Sequence, residues 1–505
     1  MRRGRASARA AGALTALLLT GCGTTVQLSD APRASVGDGN ELSLSTPAQS
    51  TPGTSVSTLP SSGAVPHAAA HGHTTAPSAP GEGGRSTPSE SVSPAATTDG
   101  APLSGRGFTD KTIKMGIVTA SGEGAFASGL GVSDSSGDLM AQYDVMQHYI
   151  NAHGGIAGRK LVLVNHTVDF GTAVNNPSLA AQEVCAAFTQ DSHVFAVFNP
   201  VPTAAQRTCL EQANTPIIDS GTLLVGAPNY TQHPDLLFSV GKMTTDLVDR
   251  LLMQSLAARH FFSGWNPLTG APGPAPPKLG LLYPDQPDAK YNVELEVREL
   301  RAMGLTVSDT VTYPANVTAG LAATQSAVLK FKAEGITHVL GESVFFMEDA
   351  QSQGYYPRYV IPIGAALGYA PIAPAKQMVG SMTVGYQPAG DVDAQRDPGP
   401  VSPAQTRCTR IMRKAGQSPS ARAALQSMEA VCDVMFFLQA SLSGATGLSN
   451  VVLEQGANRL GTGWKSAQTF VSDFSPQHHA SAIAVRDMTY FTSCSCMKYV
   501  GGLRE

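Results

Sequence analysis

The stretch INAHGGIAGRKLVLV, residues 150–164, decides how this chain folds. Leading into it, Leu139, Tyr143, Met146 and Ile150 recur at spacings of four, three and four, which is one face of a helix. Asn151-Ala152-His153 ends that helix, and Gly154 and Gly155 supply the left-handed backbone that a helix C-terminus favours. Gly158 turns the chain again and Lys160 to Val164 continues as a strand. Upstream, Ile113 to Thr119 (IKMGIVT) is a short apolar strand, followed by a glycine-rich loop from Ser121 to Gly137. The unit is therefore strand, helix, tight return, strand.

The same unit repeats along the chain. The pattern predicts helix 178–190, strand 193–198, helix 203–213 and strand 216–219, then a second series from Leu236. That series has helix 245–262, strand 278–283, helix 289–303, strand 305–312, helix 318–334, strand 336–341, helix 346–354 and strand 358–363. The proline- and glycine-rich NPLTGAPGPAPP, between Gly264 and Pro277, reads as an exposed loop. After a strand near Met382 to Tyr386 the chain is helical through 403–443, then strand-like in AIAVRDMTYF and CSCMKYV. Strands alternating with helices mean βαβ units and parallel sheets, so the fold class is α/β with two doubly wound units. Ligands of such sheets bind beyond the carboxyl ends of the strands, and two units facing each other make a cleft.

The N-terminus concerns location. Residues 1–22, MRRGRASARAAGALTALLLTGC, hold four arginines, a short apolar run and Leu19-Thr20-Gly21-Cys22. A basic start and a short apolar core make a secretory signal. Its end resembles a bacterial lipobox, which implies cleavage before Cys22 and acylation there, so that Cys22 anchors the protein to the bilayer at the outer face of the cell membrane. An ordinary cleaved signal with an incidental cysteine is the alternative. Residues 23–104 are dominated by Ser, Thr, Pro, Ala and Gly, with no Phe, Trp or Tyr before Phe108. Such a segment cannot offset its ordering entropy and reads as a disordered stalk reaching roughly 50 Å. His67, His71 and His73 within it read as solvated linker, with weak metal chelation as the alternative.

The formal charge of −4 and the absence of a basic block after the signal argue against nucleic acid. Of seven cysteines, one is Cys22 and six remain: Cys185, Cys209, Cys408, Cys432, Cys494 and Cys496. Outside the cytosol an even set reads as disulfides, with a zinc site as the alternative. Cys185 and Cys209 are 24 apart, as are Cys408 and Cys432, and each pair falls on successive predicted helices. That makes 185–209, 408–432 and 494–496 the preferred pairing among the fifteen that six cysteines allow.

Beyond these patterns, "DKTIKMGIVTA", "YINAHGGIAGRKLVLV", "HVFAVFN" and "TPIID" resemble the extracellular solute-binding proteins of branched-chain amino-acid (leucine-binding) type, the type I periplasmic binding proteins of ABC importers. "ITHVLGESVFFMEDAQSQGYYPRYVI" is similar to that family's second-lobe strand–helix–glycine–strand step, and "MEAVCDVMFFLQASL" to its late helix. The resemblance implies two lobes joined by three crossover strands, closing on a small ligand. By analogy the first lobe is 105–238 plus 387–480 and the second is 239–386 plus 481–505.

Cleft loops at strand ends bring the candidate ligand residues Ser121, Asn199, Thr203, Ser220 and Thr222 from the first lobe. Tyr283, Asp285, Glu342, Ser343 and Tyr369 come from the second. Hydroxyls and backbone N–H groups at helix N-termini suit a carboxylate, and the resemblance gives that task to Thr203, Ser220 and Thr222. Helix capping by Thr203 and Ser220 is the alternative, and the two roles are compatible. Family members hold a ligand ammonium with an acid after the strand matching Val360 to Ile363; here the loop is Gly364-Ala365-Ala366-Leu367, with no acid. Glu342 or Asp285 would have to substitute. Tyr283, Phe345 and Tyr369 offer an apolar wall, or else core.

No nucleophile-elbow, Walker, zinc-protease or dinucleotide motif is present, and His478-His479 lies in a predicted loop with no carboxylate motif beside it. The sequence therefore reads as a monomeric binding protein that needs no metal or cofactor and performs no catalysis. It captures a small polar or amphipathic solute and delivers it to an ABC permease. A surface receptor that senses the solute and reports to a membrane kinase is the alternative.

Overall fold

The structure, a computed structural model, describes residues 101–122, 137–199, 203–220, 225–314, 317–341, 344–364, 370, 372–392, 401–419 and 422–505. The signal, Cys22, the three stalk histidines and the stalk up to residue 100 lie outside these residues.

Strand β1 (Thr112–Ser121) leads to helix α1 (Leu139–Ala152), whose first turn is capped by Asp138 accepting from the Ala141 N–H at 2.9 Å. Tyr143, Met146 and Ile150 on its inner face have no exposure. The return to β2 (Lys160–Asp169) is held by named atoms rather than by generic turn propensity. The Gly155 N–H donates to the Ile150 carbonyl at 2.9 Å, and Gly155 adopts φ +71°. A Cβ there would stand 2.0 Å from the Arg159 carbonyl oxygen, so only glycine fits. Asn151 then clamps the start of β2: its Nδ2 donates to the Leu161 carbonyl at 3.0 Å and its Oδ1 accepts from the Leu161 N–H at 2.7 Å. Arg159, 4% exposed, donates to the carbonyls of Leu103, Thr109, Ala157 and Thr446. It thereby binds the beginning of the body to a loop nearly three hundred residues later. Ala101 to Leu103, at the end of the low-complexity stretch, already lie on this body, with the Pro102 carbonyl accepting from Leu448 N–H at 3.0 Å.

Strands β1, β2, β3 (Ala196–Phe198), β4 (Ile217–Asp219) and β5 (Leu237–Ser239) form one parallel sheet in the order 2-1-3-4-5. Between them run α2 (Phe170–Asn175), α3 (Pro177–Ala186, closing in a π turn at Ala187–Asp191), α4 (Ala204–Gln212) and α5 (Ala227–Gln232). Cys185 on α3 is disulfide-bonded to Cys209 on α4.

From Met243 the chain builds a second body. Helix α6 (Thr245–Ala258) is followed by the ribbon β6 (Trp265–Asn266) and β7 (Ala271–Pro272), then β8 (Leu279–Pro284), α7 (Pro287–Ala302), β9 (Val307–Tyr313), α8 (Val317–Glu334), β10 (His338–Leu340), α9 (Val344–Ser352) and β11 (Arg358–Tyr359). Its parallel sheet has the order 11-10-8-9. The sequence predicted a longer last strand, to residue 363. Instead Val360 bridges Met382, handing the chain to β12 (Met382–Gly385). The proline-rich insertion is also more than an exposed loop. Trp265 at its start is 4% exposed, and its indole N–H donates to the Tyr356 carbonyl at 2.8 Å. One buried aromatic anchors a segment whose composition signals only turns.

The chain then returns. After α10 (Pro388–Asp391), helices α11 (Pro403–Lys414), α12 (Arg422–Ser441) and α13 (Asn450–Leu460) pack with α1 and the first sheet in one apolar cluster. Cys408 on α11 is bonded to Cys432 on α12. Helix α13 escaped the sequence pattern because of Gly456, a poor helix former. Its Cβ would come 1.7 Å from the Ser441 carbonyl oxygen, so the glycine permits close packing on the end of α12. Last, β13 (Val485–Phe491) and β14 (Cys496–Arg504) join β12 in an antiparallel sheet on the second body, with Cys494–Cys496 bonded at the hairpin tip.

Two predictions follow from this packing. Gly155→Ala should lose more stability in urea unfolding than Gly158→Ala. Both have positive φ, but a Cβ at Gly158 meets nothing within 4 Å. The second change should cost about 1–2 kcal/mol and the first clearly more.

The other prediction concerns a buried acid pair on α6 and α7. Asp249 Oδ2 and Glu296 Oε2 are buried with no hydrogen-bond partner among the described residues. Burial pushes Glu296 up to about 7, and burial followed by the Glu296 charge pushes Asp249 up as well. Groups raised above their unfolded values hold protons that the unfolded chain has released, so stability falls as pH rises from about 4 to 7 and then levels. Glu296→Gln should flatten that slope in unfolding curves between about pH 4 and 7. An unchanged slope would mean other groups set it.

Candidate functional site

The chain passes between the two bodies three times, and the passages run side by side. Ser239 pairs in parallel with Ala480, and its N–H donates to the His479 carbonyl at 2.8 Å. Ser481 Oγ donates to the Val240 carbonyl at 2.7 Å, and the Ala482 N–H donates to the Lys242 carbonyl at 2.7 Å. The middle passage joins them where Gln387 Nε2 donates to the Gly241 carbonyl at 2.6 Å.

These passages surround a buried ion pair that the sequence reading did not single out. Lys242 Nζ lies 2.6 Å from Asp219 Oδ1, and neither side chain has any exposure. Asp219 is the last residue of β4. Its second oxygen accepts from Ser239 Oγ at 3.0 Å, and Ser239 in turn accepts from the Tyr230 hydroxyl at 2.7 Å. Burial lowers the Lys242 pKa and the Asp219 charge opposes that shift. The Tyr230 phenol is raised, first by burial and then by Asp219, and stays neutral as a donor.

Around this core lie the strand ends where ligands of α/β sheets bind. Ser220, next to Asp219, is 2% exposed, and its hydroxyl is buried with no hydrogen-bond partner among the described residues. Asn199, at the end of β3, is 1% exposed and donates to Gln206 Oε1 at 3.0 Å. That oxygen also accepts from the Thr203 N–H at 3.0 Å, while Thr203 Oγ1 accepts from the Gln206 N–H at 3.3 Å. Thr203 is thus the cap of α4 in a capping box, and Asn199 orients it. Ser121, exposed at the end of β1, donates weakly to the Val168 carbonyl at 3.5 Å. On the second body Tyr283 is half-buried at the end of β8, and Asp285 is exposed with its N–H on the Tyr313 carbonyl. Phe345, read as a possible wall, belongs to the second core and is 8% exposed. Thr222, Glu342, Ser343, Tyr369 and the loop 365–368 lie outside the described residues.

The two bodies touch at the same strand ends. Arg207, one turn into α4, places Nη2 at 2.8 and 3.0 Å from the two carboxylate oxygens of Asp288 in the first turn of α7. Asp246 Oδ2 accepts from the Ala227 N–H and Oδ1 from the Tyr291 hydroxyl, both at 2.7 Å. Burial and then that carboxylate push Tyr291 up to about 12. A Cβ on Gly226 would stand 2.3 Å from the Tyr291 ring, so the contact is close-packed. The signal for Lys242, Asp219 and Arg207 was present in the sequence as charges on otherwise apolar or buried faces, but their partners are distant in sequence.

Elsewhere, His478 has found a carboxylate after all, with Nδ1 2.7 Å from Asp473 Oδ2. A separate groove of about 680 Å³ lies between the Gly154–Gly158 turn, Phe436 and Trp464. It sits at the amino end of β2, away from the strand ends that carry Asn199 and Ser220. Among the described residues no cluster of three or more metal-ligating side chains occurs, and no helix is long and apolar enough to cross a membrane.

Removing one member of the buried ion pair strands the other. Lys242→Met should therefore cost about 3–5 kcal/mol in denaturant unfolding, with much of the loss recovered in the double variant Lys242→Met/Asp219→Leu. Equal losses in the single and double variants would show that the charge itself is not what matters.

Comparison with known proteins agrees with this architecture. Residues 113–481 match the model of the periplasmic binding protein family. No curated relative matches the chain by sequence. Among solved structures, an ABC transporter substrate-binding protein from Desulfitobacterium hafniense in complex with Leu is 18% identical, with a TM-score of 0.51 over 77% of this chain and 100% of that one. A fatty acid ABC transporter substrate-binding protein from Thermomonospora curvata is 15% identical, with a TM-score of 0.53 over 81% and 95%. A solute-binding protein of an R. palustris ABC transporter, in complex with 4-hydroxybenzoate, is 12% identical, with a TM-score of 0.53 over 77% and 96%. At these identities the likeness is one of fold. With the family model spanning most of the folded body, this chain belongs to the periplasmic binding protein family.

Proposed function

We propose that the chain captures a small polar or amphipathic solute between its two bodies and delivers it to an ABC permease, held at the outer face of the cell membrane by an acylated Cys22. The lobes are 105–238 with 387–480 and 239–386 with 481–505. One observation carries this reading: three adjacent passages bring the carboxyl ends of two parallel sheets together, where Ser220 keeps a buried hydroxyl without a partner among the described residues. That hydroxyl, the N-terminus of α4 and the second-body residues Tyr283 and Asp285 form the solute site, completed by Thr222, Glu342, Ser343 and Tyr369. Capture requires no bond chemistry. Solute contacts both lobes only when they are closed, so its differential affinity shifts the population towards closure.

The named relatives point to carboxylate-bearing solutes, since leucine, fatty acids and 4-hydroxybenzoate share that group. A hydroxyl and helix N-terminal N–H groups are suited to it. Without an acid at Gly364–Leu367 an ammonium would have to be met by Asp285 or Glu342, whereas carboxylates lacking an ammonium need no such partner.

Thermal unfolding of the full chain against leucine, a medium-chain fatty acid, 4-hydroxybenzoate and a neutral sugar tests this. A solute at about 100 times its Kd adds about 2.7 kcal/mol, a readable rise in Tm. The expected result is a shift with an acid that lacks an ammonium, diminished by Ser220→Ala. A shift only with the sugar would overturn the carboxylate class, and no shift with any of a wider solute panel would overturn capture.

A further inference from the structure

Resting on the two-lobe capture just proposed, we infer that Arg207 and Asp288 are a clasp that favours closure of the crevice independently of solute. The two residues are 81 apart in sequence and belong to different bodies, α4 on the first sheet and α7 on the second. Each sits in the opening turns of the helix that follows a crevice-lining strand, β3 and β8. Nη2 contacts both carboxylate oxygens, at 2.8 and 3.0 Å, and the side chains are 4% and 27% exposed. Opening the crevice separates α4 from α7 and must break this pair.

Its surroundings strengthen the constraint. Lys242 at the crossing point feels the charges of both Arg207 and Asp288, as well as that of Asp219. Separation of Asp288 would remove one of the two acids whose charges offset that of Arg207 at Lys242. Close charge pairs across interfaces couple strongly enough to shift an equilibrium between two conformers. The pair thus adds a fixed, solute-independent contribution to closure, and the solute supplies the remainder. Arg207 and Asp288 are positioning residues: they set how much of the population is ready to hold solute.

The test needs no solute, so it stands or falls separately from the solute panel. Spin labels on unnatural amino acids at the exposed positions 144 and 329, one in each body, leave the disulfides untouched. Pulsed dipolar distances on the full chain without solute should show a short population beside a longer one. Asp288→Asn should lower the ratio of short to long about tenfold or more, and high salt should do so less strongly because the pair is largely buried. The charge-swapped variant Arg207→Asp/Asp288→Arg should restore the short population. Identical distributions in the natural protein and Asp288→Asn would overturn the clasp. So would a charge swap that stays open while melting at the natural Tm, because the pair would then not be what ties the lobes.

Discussion

The interaction on which the rest of the structure depends is the ion pair of Lys242 with Asp219, sealed where the chain passes between its two bodies. Two charges with no exposure are costly to desolvate, and their attraction repays that cost only in one geometry. The pair therefore fixes where the first passage leaves β5 relative to the end of β4. The neighbouring passages are fastened to the same segment by main-chain and short side-chain hydrogen bonds at Gly241, Val240 and Lys242. Three strands of chain can bend together here only if this point holds still. Ser220, one residue beyond Asp219, inherits its position from the pair.

A second constraint acts at the other end of the first sheet. There the Asn151 amide takes both hydrogen-bonding groups of Leu161, and Arg159 gathers four carbonyls from distant segments. Neither device touches the crevice. They tie the first body together at the end of its sheet opposite Ser220, a fixed support for the residues at the strand ends.

Legibility in the sequence followed the range of the physical cause. Local periodicity announced α1, whose Tyr143, Met146 and Ile150 turn out to be fully buried, and the alternation of strands and helices announced two parallel sheets. The return at Gly154 and Gly155 was readable because left-handed backbone selects glycine. What escaped depends on partners far away. Trp265 anchors an insertion through Tyr356, and Gly456 suits its helix only because Ser441 presses against it. The charges were hardest. Arg207 gave no sign of its partner, since nothing near it in sequence reveals Asp288. Thr203 was visible both as a cap and as a ligand group, and the structure shows its hydroxyl in the cap.

These charges bear on the chemistry of recognition. Two buried cations near the strand ends have acid partners: Lys242 has Asp219 and Arg207 has Asp288. A solute that carried its own charge to either cation would have to displace a carboxylate already in contact, losing one close pair to gain another. In the solute site proposed above, recognition without that exchange falls to neutral donors, the Ser220 hydroxyl and the N–H groups at the start of α4. Such donors stabilise an anion through fixed dipoles and make no demand for a counter-charge on the solute. On that proposal the paired charges Lys242–Asp219 and Arg207–Asp288 serve the shape of the crevice, and the neutral donors read an anion that enters it.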